Sequence, residues 1–282
     1  LFLNRRGNSR CLVCTDCGEA PSCPRCSVHL TYHSATQRLV CHYCGYSEPV
    51  RARCAKCGGA LKPVGCGTQK IEQELQYLFP DTQILRMDAD TISAQNGHEQ
   101  MLSRFAQEKI PILLGTQMVS KGLDFENVTL VGVLDADMSL YVSNYRAAET
   151  TFSLITQVVG RSGRGEQEGR ALIQTMTPEH PVIRLAAKQD YDAFYEMEIA
   201  IRQMHGCPPF LDLFFVTFTG LYEDRVMQAA GRFRQMLRAQ LQSAPFAGQT
   251  YQLLGPAPCT VAKVNYTYRY RLTLAMQNTK PL

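Results

Sequence analysis

The sequence predicts an α/β protein: a parallel-sheet domain interrupted near its start by a cysteine-rich insertion and followed by a small α+β domain. Three observations carry this expectation. Short apolar runs alternate with amphipathic helical stretches between residues 67 and 186, the pattern of strands covered on both faces. Ten of the 12 cysteines lie between Cys11 and Cys66, which marks local architecture rather than general cysteine usage. After Pro208-Pro209 the order becomes strand, one long helix, then strands. The expected domains are residues 1–7 with 67–186, the insertion 8–66, and 187–282.

The bulk properties agree. A chain of 282 residues suits about two domains. Hydrophobic residues at 45% and charged residues at 19% exclude overall disorder. No run approaches the ~18 uninterrupted apolar residues of a membrane span, and no basic-then-apolar leader opens the chain. The net charge of +4 permits a nucleic-acid partner without demanding one. Leu1-Phe2-Leu3 reads as a strand rather than as a start, so a longer protein is expected, with part of any active site outside this chain.

Taken in order, residues 1–5 form a short buried strand and 8–66 carry the cysteines with no helical period. A helix follows with Ile71, Leu75, Leu78 and Phe79 on one face. Ile84–Met87 is a strand, and 98–108 is a helix carrying Met101, Leu102 and Phe105. Ile110–Leu114 and Val128–Leu134 are continuous apolar runs, hence buried parallel strands. Tyr145–Val159 is a helix and Arg170–Thr175 the next strand. A long helical stretch covers 179–205, then Leu211–Thr219 is a strand and Glu223–Gln242 a helix striped by Val226, Ala230, Phe233, Leu237 and Leu241. Tyr251–Leu254 and Ala262–Leu274 complete the set as strands. In the last one, Val264, Tyr266, Tyr268, Tyr270 and Leu272 alternate with Lys263, Asn265, Thr267, Arg269 and Arg271, as in a half-buried strand with a basic face.

Four Cys-x-x-Cys pairs stand in the insertion: Cys14/Cys17, Cys23/Cys26, Cys41/Cys44 and Cys54/Cys57. Two thiolates three residues apart grip one tetrahedral metal from one tight turn, so eight make two four-sulfur sites, with Zn²⁺ the default. Joining Cys14/Cys17 to Cys23/Cys26 across five residues is cramped, whereas Cys23/Cys26 and Cys41/Cys44 are 14 residues apart, near a zinc-ribbon gap. The favoured arrangement is nested, with Cys14, Cys17, Cys54 and Cys57 as one site and Cys23, Cys26, Cys41 and Cys44 as the other. A cross-braced pairing stays open. Disulfides and an iron–sulfur cluster are weaker alternatives, and Cys11 could replace a neighbour as ligand. His29, His33 and His42 lie nearby but are surplus to eight thiolates.

Two further motifs stand on the sheet domain. Gly115-Thr116-Gln117 through Lys121-Gly122-Leu123-Asp124 follows a strand, and Gln157-Val-Val-Gly160-Arg161-Ser-Gly163-Arg164 follows a helix. They resemble motifs V and VI of the second RecA-like lobe of superfamily 2 helicases. Leu3-Asn4-Arg5-Arg6-Gly7, the four cysteine pairs, Gly67-Thr68, these two motifs and Leu254-Gly-Pro-Ala-Pro258 follow one another in an order that resembles the PriA family of replication-restart helicases across nearly the whole chain.

The resemblance implies a RecA-like, parallel-sheet helicase lobe 2 with an inserted two-zinc module, and a C-terminal domain that continues beyond Leu282. It implies ATP-driven 3′→5′ unwinding of forked or single-stranded DNA in replication restart and primosome assembly. The implied partners are single-strand binding protein, primosome proteins and the replicative helicase, in the bacterial cytoplasm and away from membranes. A guanidinium offered from a neighbouring lobe stabilises the charge that develops on a transferred phosphoryl group, which suits Arg161 and Arg164 with Gln157. Lys121, Gly122, Asp124 and Gly160 are the implied nucleotide contacts, and Thr116 and Gln117 lie near DNA. Arg269 and Arg271 are candidate DNA contacts from the basic strand face. No G-x-x-x-x-G-K-[ST] and no Walker B sequence occurs, so ATP and Mg²⁺ belong to the full-length protein and this chain alone is expected to lack ATPase activity. Asp135-Ala-Asp137 reads as a strand-end turn. The competing reading is a non-enzymatic zinc-ribbon adaptor that binds nucleic acid or protein on a helicase-like scaffold.

Overall fold

Two residues form the hub of the sheet: Phe2 and Leu3, both 2% exposed, make the central strand β1 (Phe2–Leu3). The computed structural model describes residues 1–4, 11–33, 36–64, 67–88, 97–116, 128–142, 144–161 and 168–277. After β1 come five short strands of the insertion: β2 (Cys11–Cys14), β3 (Thr31–His33), β4 (Arg38–Val40), β5 (Ser47–Pro49) and β6 (Leu61–Val64). The next stretch holds α1 (Thr68–Leu78), β7 (Ile84–Met87), α2 (Gly97–Gln107), β8 (Ile112–Gly115) and β9 (Leu130–Leu134). A 3-10 turn (Ala136–Ser139) leads to α3 (Ala147–Val159), β10 (Arg170–Ile173), α4 (Pro181–Lys188) and α5 (Tyr191–His205). The chain continues as β11 (Asp212–Gly220), α6 (Glu223–Leu241), β12 (Tyr251–Val264) and β13 (Thr267–Met276). No helix among the described residues is long and apolar enough to cross a membrane.

The chain divides into two units, one of Leu1–Asn8 with Cys66–Ile199 and the other of Ser9–Gly65 with Ala200–Leu282. In the first, five strands run in the order β10-β9-β1-β8-β7. Every pairing is parallel, with Phe2 opposite both Gly115 and Val133. Successive side chains on a strand point to opposite faces. Phe2 therefore joins Val133, Phe152, Ile155 and Phe194 under α3, while Leu3 joins Ile71, Leu75 and Leu114 under α1. Each such side chain contributes about 1.5–3 kcal/mol on burial. That is why the apolar runs at β8 and β9 are uninterrupted: both faces are covered.

In the second unit, β2 pairs with β6, and β3, β4 and β5 form an antiparallel meander. β11, β13 and β12 make a second antiparallel sheet, on which α6 packs through Val226, Ala230 and Leu241.

Two expectations are corrected. The helical stretch 179–205 is two helices, because Gln189 turns left-handed (φ 56°) after α4 and the Asp190 carboxylate accepts the Ala193 N–H at 3.1 Å to start α5. The strand expected at Ala262–Leu274 is the end of β12, a turn and β13, since Asn265 and Tyr266 take φ values of 46° and 64°. The turn breaks the expected alternation. Lys263 stands opposite Tyr268 across the hairpin, with its ammonium 5.1 Å from that ring centre.

Candidate metal centres and nucleotide motifs

The two β-ribbons of the insertion bring its cysteines together. Pairing of β2 with β6, with Cys14 opposite Leu61, places the Cys14/Cys17 turn beside the Cys54/Cys57 turn. The meander places Cys41, after β4, and Cys44, before β5, beside the turn at Cys23/Cys26. The sulfurs of Cys14, Cys17, Cys54 and Cys57 all lie within 4.8 Å of one another, and so do those of Cys23, Cys26, Cys41 and Cys44. This is the nested grouping. Cys11 stands outside both sets, and Cys66 lies outside the described residues.

Four thiolates around a tetrahedral ion at ~2.3 Å leave ~3.8 Å between sulfurs. The observed separations are 3.4 Å for Cys14–Cys57, 3.7 Å for Cys17–Cys54 and 3.6 Å for Cys23–Cys44. Each cluster is therefore spaced for zinc before any ion is considered, and the all-sulfur donor set suits it. The two four-cysteine clusters support two zinc ions. Backbone N–H groups of Cys17 and Asp16 bring the Cys14 thiol down to about 7, and the Tyr46 N–H does the same for Cys44. Burial pushes Cys26 up to about 12. Further N–H groups orient the sulfurs, from Arg25 to Cys23 and from Lys56 to Cys54, both at 3.4 Å. The histidines find other partners: His29 meets the Ser22 hydroxyl at 3.1 Å, and His33 and His42 meet each other at 3.2 Å.

On the sheet unit, Gln157 is exposed in the last turn of α3. Gly160 ends that helix, its N–H on the Thr156 carbonyl at 3.0 Å, and the half-buried Arg161 follows. Arg161 shares a cavity of about 690 Å³ with Val158, Ile112 and Val128–Val131, at the start of β8 and β9. Thr116 lies past the other end of β8, about 13 Å along the strand from Ile112 at ~3.3 Å per residue. Gln117, Lys121, Gly122, Asp124 and Arg164 lie outside the described residues. Asn4, just past β1, is buried. Its side-chain N–H donates to the Ala136 carbonyl at 3.0 Å and its oxygen accepts from Ser139 at 3.1 Å. On β13, Arg269 and Arg271 are half-buried, and the Arg271 guanidinium lies 5.0 Å from the Phe215 ring centre.

What sequence reasoning missed is the tip of the β12–β13 hairpin. Asn265 donates its N–H to the sulfur of Cys26 at 3.2 Å, within the second unit. The available signal was a gap: Cys26 is followed by Ser27, where the other three pairs are each followed by glycine.

Residues 23–49 match the family described as PriA DNA helicase Cys-rich region (CRR) domain. Residues 66–166 match the helicase conserved C-terminal domain, and 203–281 the Primosomal protein N C-terminal domain. The replication restart protein PriA of Bacillus subtilis is 44% identical over 275 residues, covering 97% of this chain and 33% of that protein. That of Chlamydia pneumoniae is 40% identical over 97% of this chain and 36% of its own length. That of Treponema pallidum is 39% identical over 97% and 41%. The chain thus spans between a third and about two-fifths of the length of these relatives.

Proposed function

Because this chain belongs to the PriA family, whose C-terminal part it matches, we propose that it is the second motor lobe, zinc module and C-terminal domain of an ATP-dependent DNA helicase that acts in replication restart. The observation that supports this most directly is the parallel sheet with β1 at its centre, split after that strand by a module whose cysteines assemble two four-sulfur sites.

In this reading ATP and Mg²⁺ are held by a partner lobe, since these 282 residues carry no phosphate-cradle sequence. Arg161 and Arg164, beyond the end of α3, present guanidinium groups to the transferred phosphoryl, and Gln157 orients the attacking water. Lys121, Gly122, Asp124 and Gly160 contact nucleotide and couple it to DNA. Thr116 and Gln117, together with Arg269 and Arg271, contact forked or single-stranded DNA. Zinc supplies no chemistry of the motor. It fixes the ribbons, whose apolar core is small. Translocation runs 3′→5′, and the partners are single-strand binding protein, primosome proteins and the replicative helicase, in the bacterial cytoplasm.

The test uses the whole protein with Arg164→Ala. Loss of a transition-state guanidinium costs about 10³–10⁵ in turnover. ATPase activity should fall by orders of magnitude while DNA affinity, followed across salt concentrations, is retained. Unchanged turnover would overturn the motor reading, as would phosphate release by this chain alone in the presence of forked DNA.

A further inference from the structure

Three of the four Cys-x-x-Cys turns are self-contained. A glycine follows the second cysteine in the left-handed region, with φ of 71° at Gly18, 73° at Gly45 and 77° at Gly58. Each returns its N–H to the carbonyl of the first cysteine, at 3.0, 2.9 and 2.9 Å. The residue after each glycine, Glu19, Tyr46 or Gly59, donates its N–H to the sulfur of the second cysteine.

The fourth turn, Cys23 to Cys26, keeps the bond that all four share, from the first cysteine's N–H to the carbonyl five residues on (here Val28, at 2.9 Å), but closes differently beyond it. Ser27 donates its N–H to the Lys263 carbonyl at 3.0 Å, and its hydroxyl accepts the Lys263 N–H at 2.9 Å. Tyr266 donates its N–H to the Arg25 carbonyl at 2.8 Å. The N–H that reaches the Cys26 sulfur is that of Asn265, 239 residues along the chain. Asn265 and Tyr266 are the two central residues of the β12–β13 turn, with φ of 46° and 64°. In a two-residue turn of this kind the central N–H groups are not used by the hairpin's own ladder and are available to another partner.

We propose that the hairpin tip is the missing half of the fourth cysteine turn, so that the second zinc site is completed by the C-terminal domain and the bound metal clamps that hairpin to the zinc module. A metal-bound thiolate accepts an N–H more strongly than a neutral thiol, and charge-assisted bonds are about twice as strong as neutral ones. Zinc therefore tightens the Asn265 contact, and the contact in turn holds zinc, because coupling between two sites is reciprocal. Val264, beside the tip, packs against the same cluster as Leu12, Leu30 and Leu39, which extends the contact beyond hydrogen bonds. The inference needs the two zinc sites but not the motor.

The test uses the 282-residue chain loaded with two zinc ions. Inserting Gly-Gly between Asn265 and Tyr266 displaces the donors without touching a cysteine, and hairpin tips tolerate insertion. Removing an outer-shell partner costs about 10–100-fold in metal affinity. One equivalent of zinc should then pass to a colorimetric chelator at least ~10-fold faster than in the parent, and the other at the parental rate. Parental rates for both would overturn the proposal. A second measurement needs no change in the hairpin. Amide exchange at Asn265 and Tyr266 should be ~10-fold faster in Cys44→Ser, which empties the second site, than in the parent. Equal exchange would overturn the clamp.

Discussion

Substituting Asp137 by asparagine tests how the C-terminal edge of the sheet is held. Asp137 is 8% exposed in the 3-10 turn after β9. Its Oδ1 accepts the hydroxyls of Thr175 and Thr177, each at 2.6 Å, and its Oδ2 accepts the Met176 N–H at 2.8 Å. One carboxylate thus ties the turn to the segment between β10 and α4. Burial alone would raise this carboxyl, but the two hydroxyls and the N–H outweigh it and hold it below its ordinary value of 3.8. The amide in Asp137→Asn would keep one oxygen and present an NH₂ group to at least one donor. A hydrogen bond to a charged acceptor contributes about 1.5–3 kcal/mol and a neutral one about 0.5–1.5. Losing the charge on three bonds therefore costs about 3–4.5 kcal/mol. The folded pKa is depressed, so this stability is fully present above the unfolded value and is lost as pH falls through the folded one. The gap between parent and Asp137→Asn, read from urea unfolding with zinc present, should be constant from about pH 8 to 5 and close below about pH 4. Zinc release on acidification is common to both chains and cancels in the difference. A gap under ~0.5 kcal/mol at pH 7, or one that widens on acidification, would refute the reasoning.

Elemental analysis of the purified chain should find two zinc ions, and Cys14→Ser or Cys23→Ser should each lower the count by one, because the two sites share no ligand. Leu39 is fully buried in the core of the zinc module, so Leu39→Ala should cost about 2–5 kcal/mol, seen as faster proteolysis of the β3–β5 meander at unchanged zinc content. Tyr270 donates its hydroxyl to Glu223 at 2.8 Å, and that carboxylate raises the phenol above its usual range. Tyr270→Phe should destabilise by about 0.5–1.5 kcal/mol at neutral pH, with the difference lost only as strong alkali ionises the phenol.

Much of the sheet was legible because burial on both faces leaves a plain mark. Ile112–Leu114 and Leu130–Leu134 are apolar without interruption, and α1 and α2 before them and α3 after them each carry an apolar stripe. The zinc grouping was legible in part from loop length, since five residues are cramped for joining the first two pairs and 14 suit a ribbon, while nothing in the spacing excluded a cross-braced pairing. Strand order was not, because β1 contributes only two residues and its neighbours are chosen by packing rather than by any local pattern. The break at Gln189 and the turn at Asn265-Tyr266 were hidden for one reason. Both use left-handed residues other than glycine, and the second sits inside an unbroken alternation of aromatic and polar side chains. Of the motif residues, the geometry speaks to Thr116, Gln157, Gly160 and Arg161, and leaves Thr116 and Arg161 at opposite ends of β8.

Sequence order and physical grouping part company in the second unit. The insertion interrupts the sheet domain, yet Ser9–Gly65 groups with Ala200–Leu282. The reason lies in how little the ribbons can bury. Among the described residues, the fully buried positions of their cluster are three leucines and three cysteines. A core that small needs metal, and gains from any further apolar side chain offered to it. Val264 offers one, and the backbone of the adjacent turn supplies the N–H to sulfur that the residue after the glycine supplies in the other three turns. A segment cut from the chain as residues 8–66 should accordingly hold its first zinc better than its second. The two ions of the isolated segment would leave at more widely separated rates than in the 282-residue chain. Equal rates in the segment, with both sites as retentive as in the whole chain, would show that the ribbons need nothing from the hairpin.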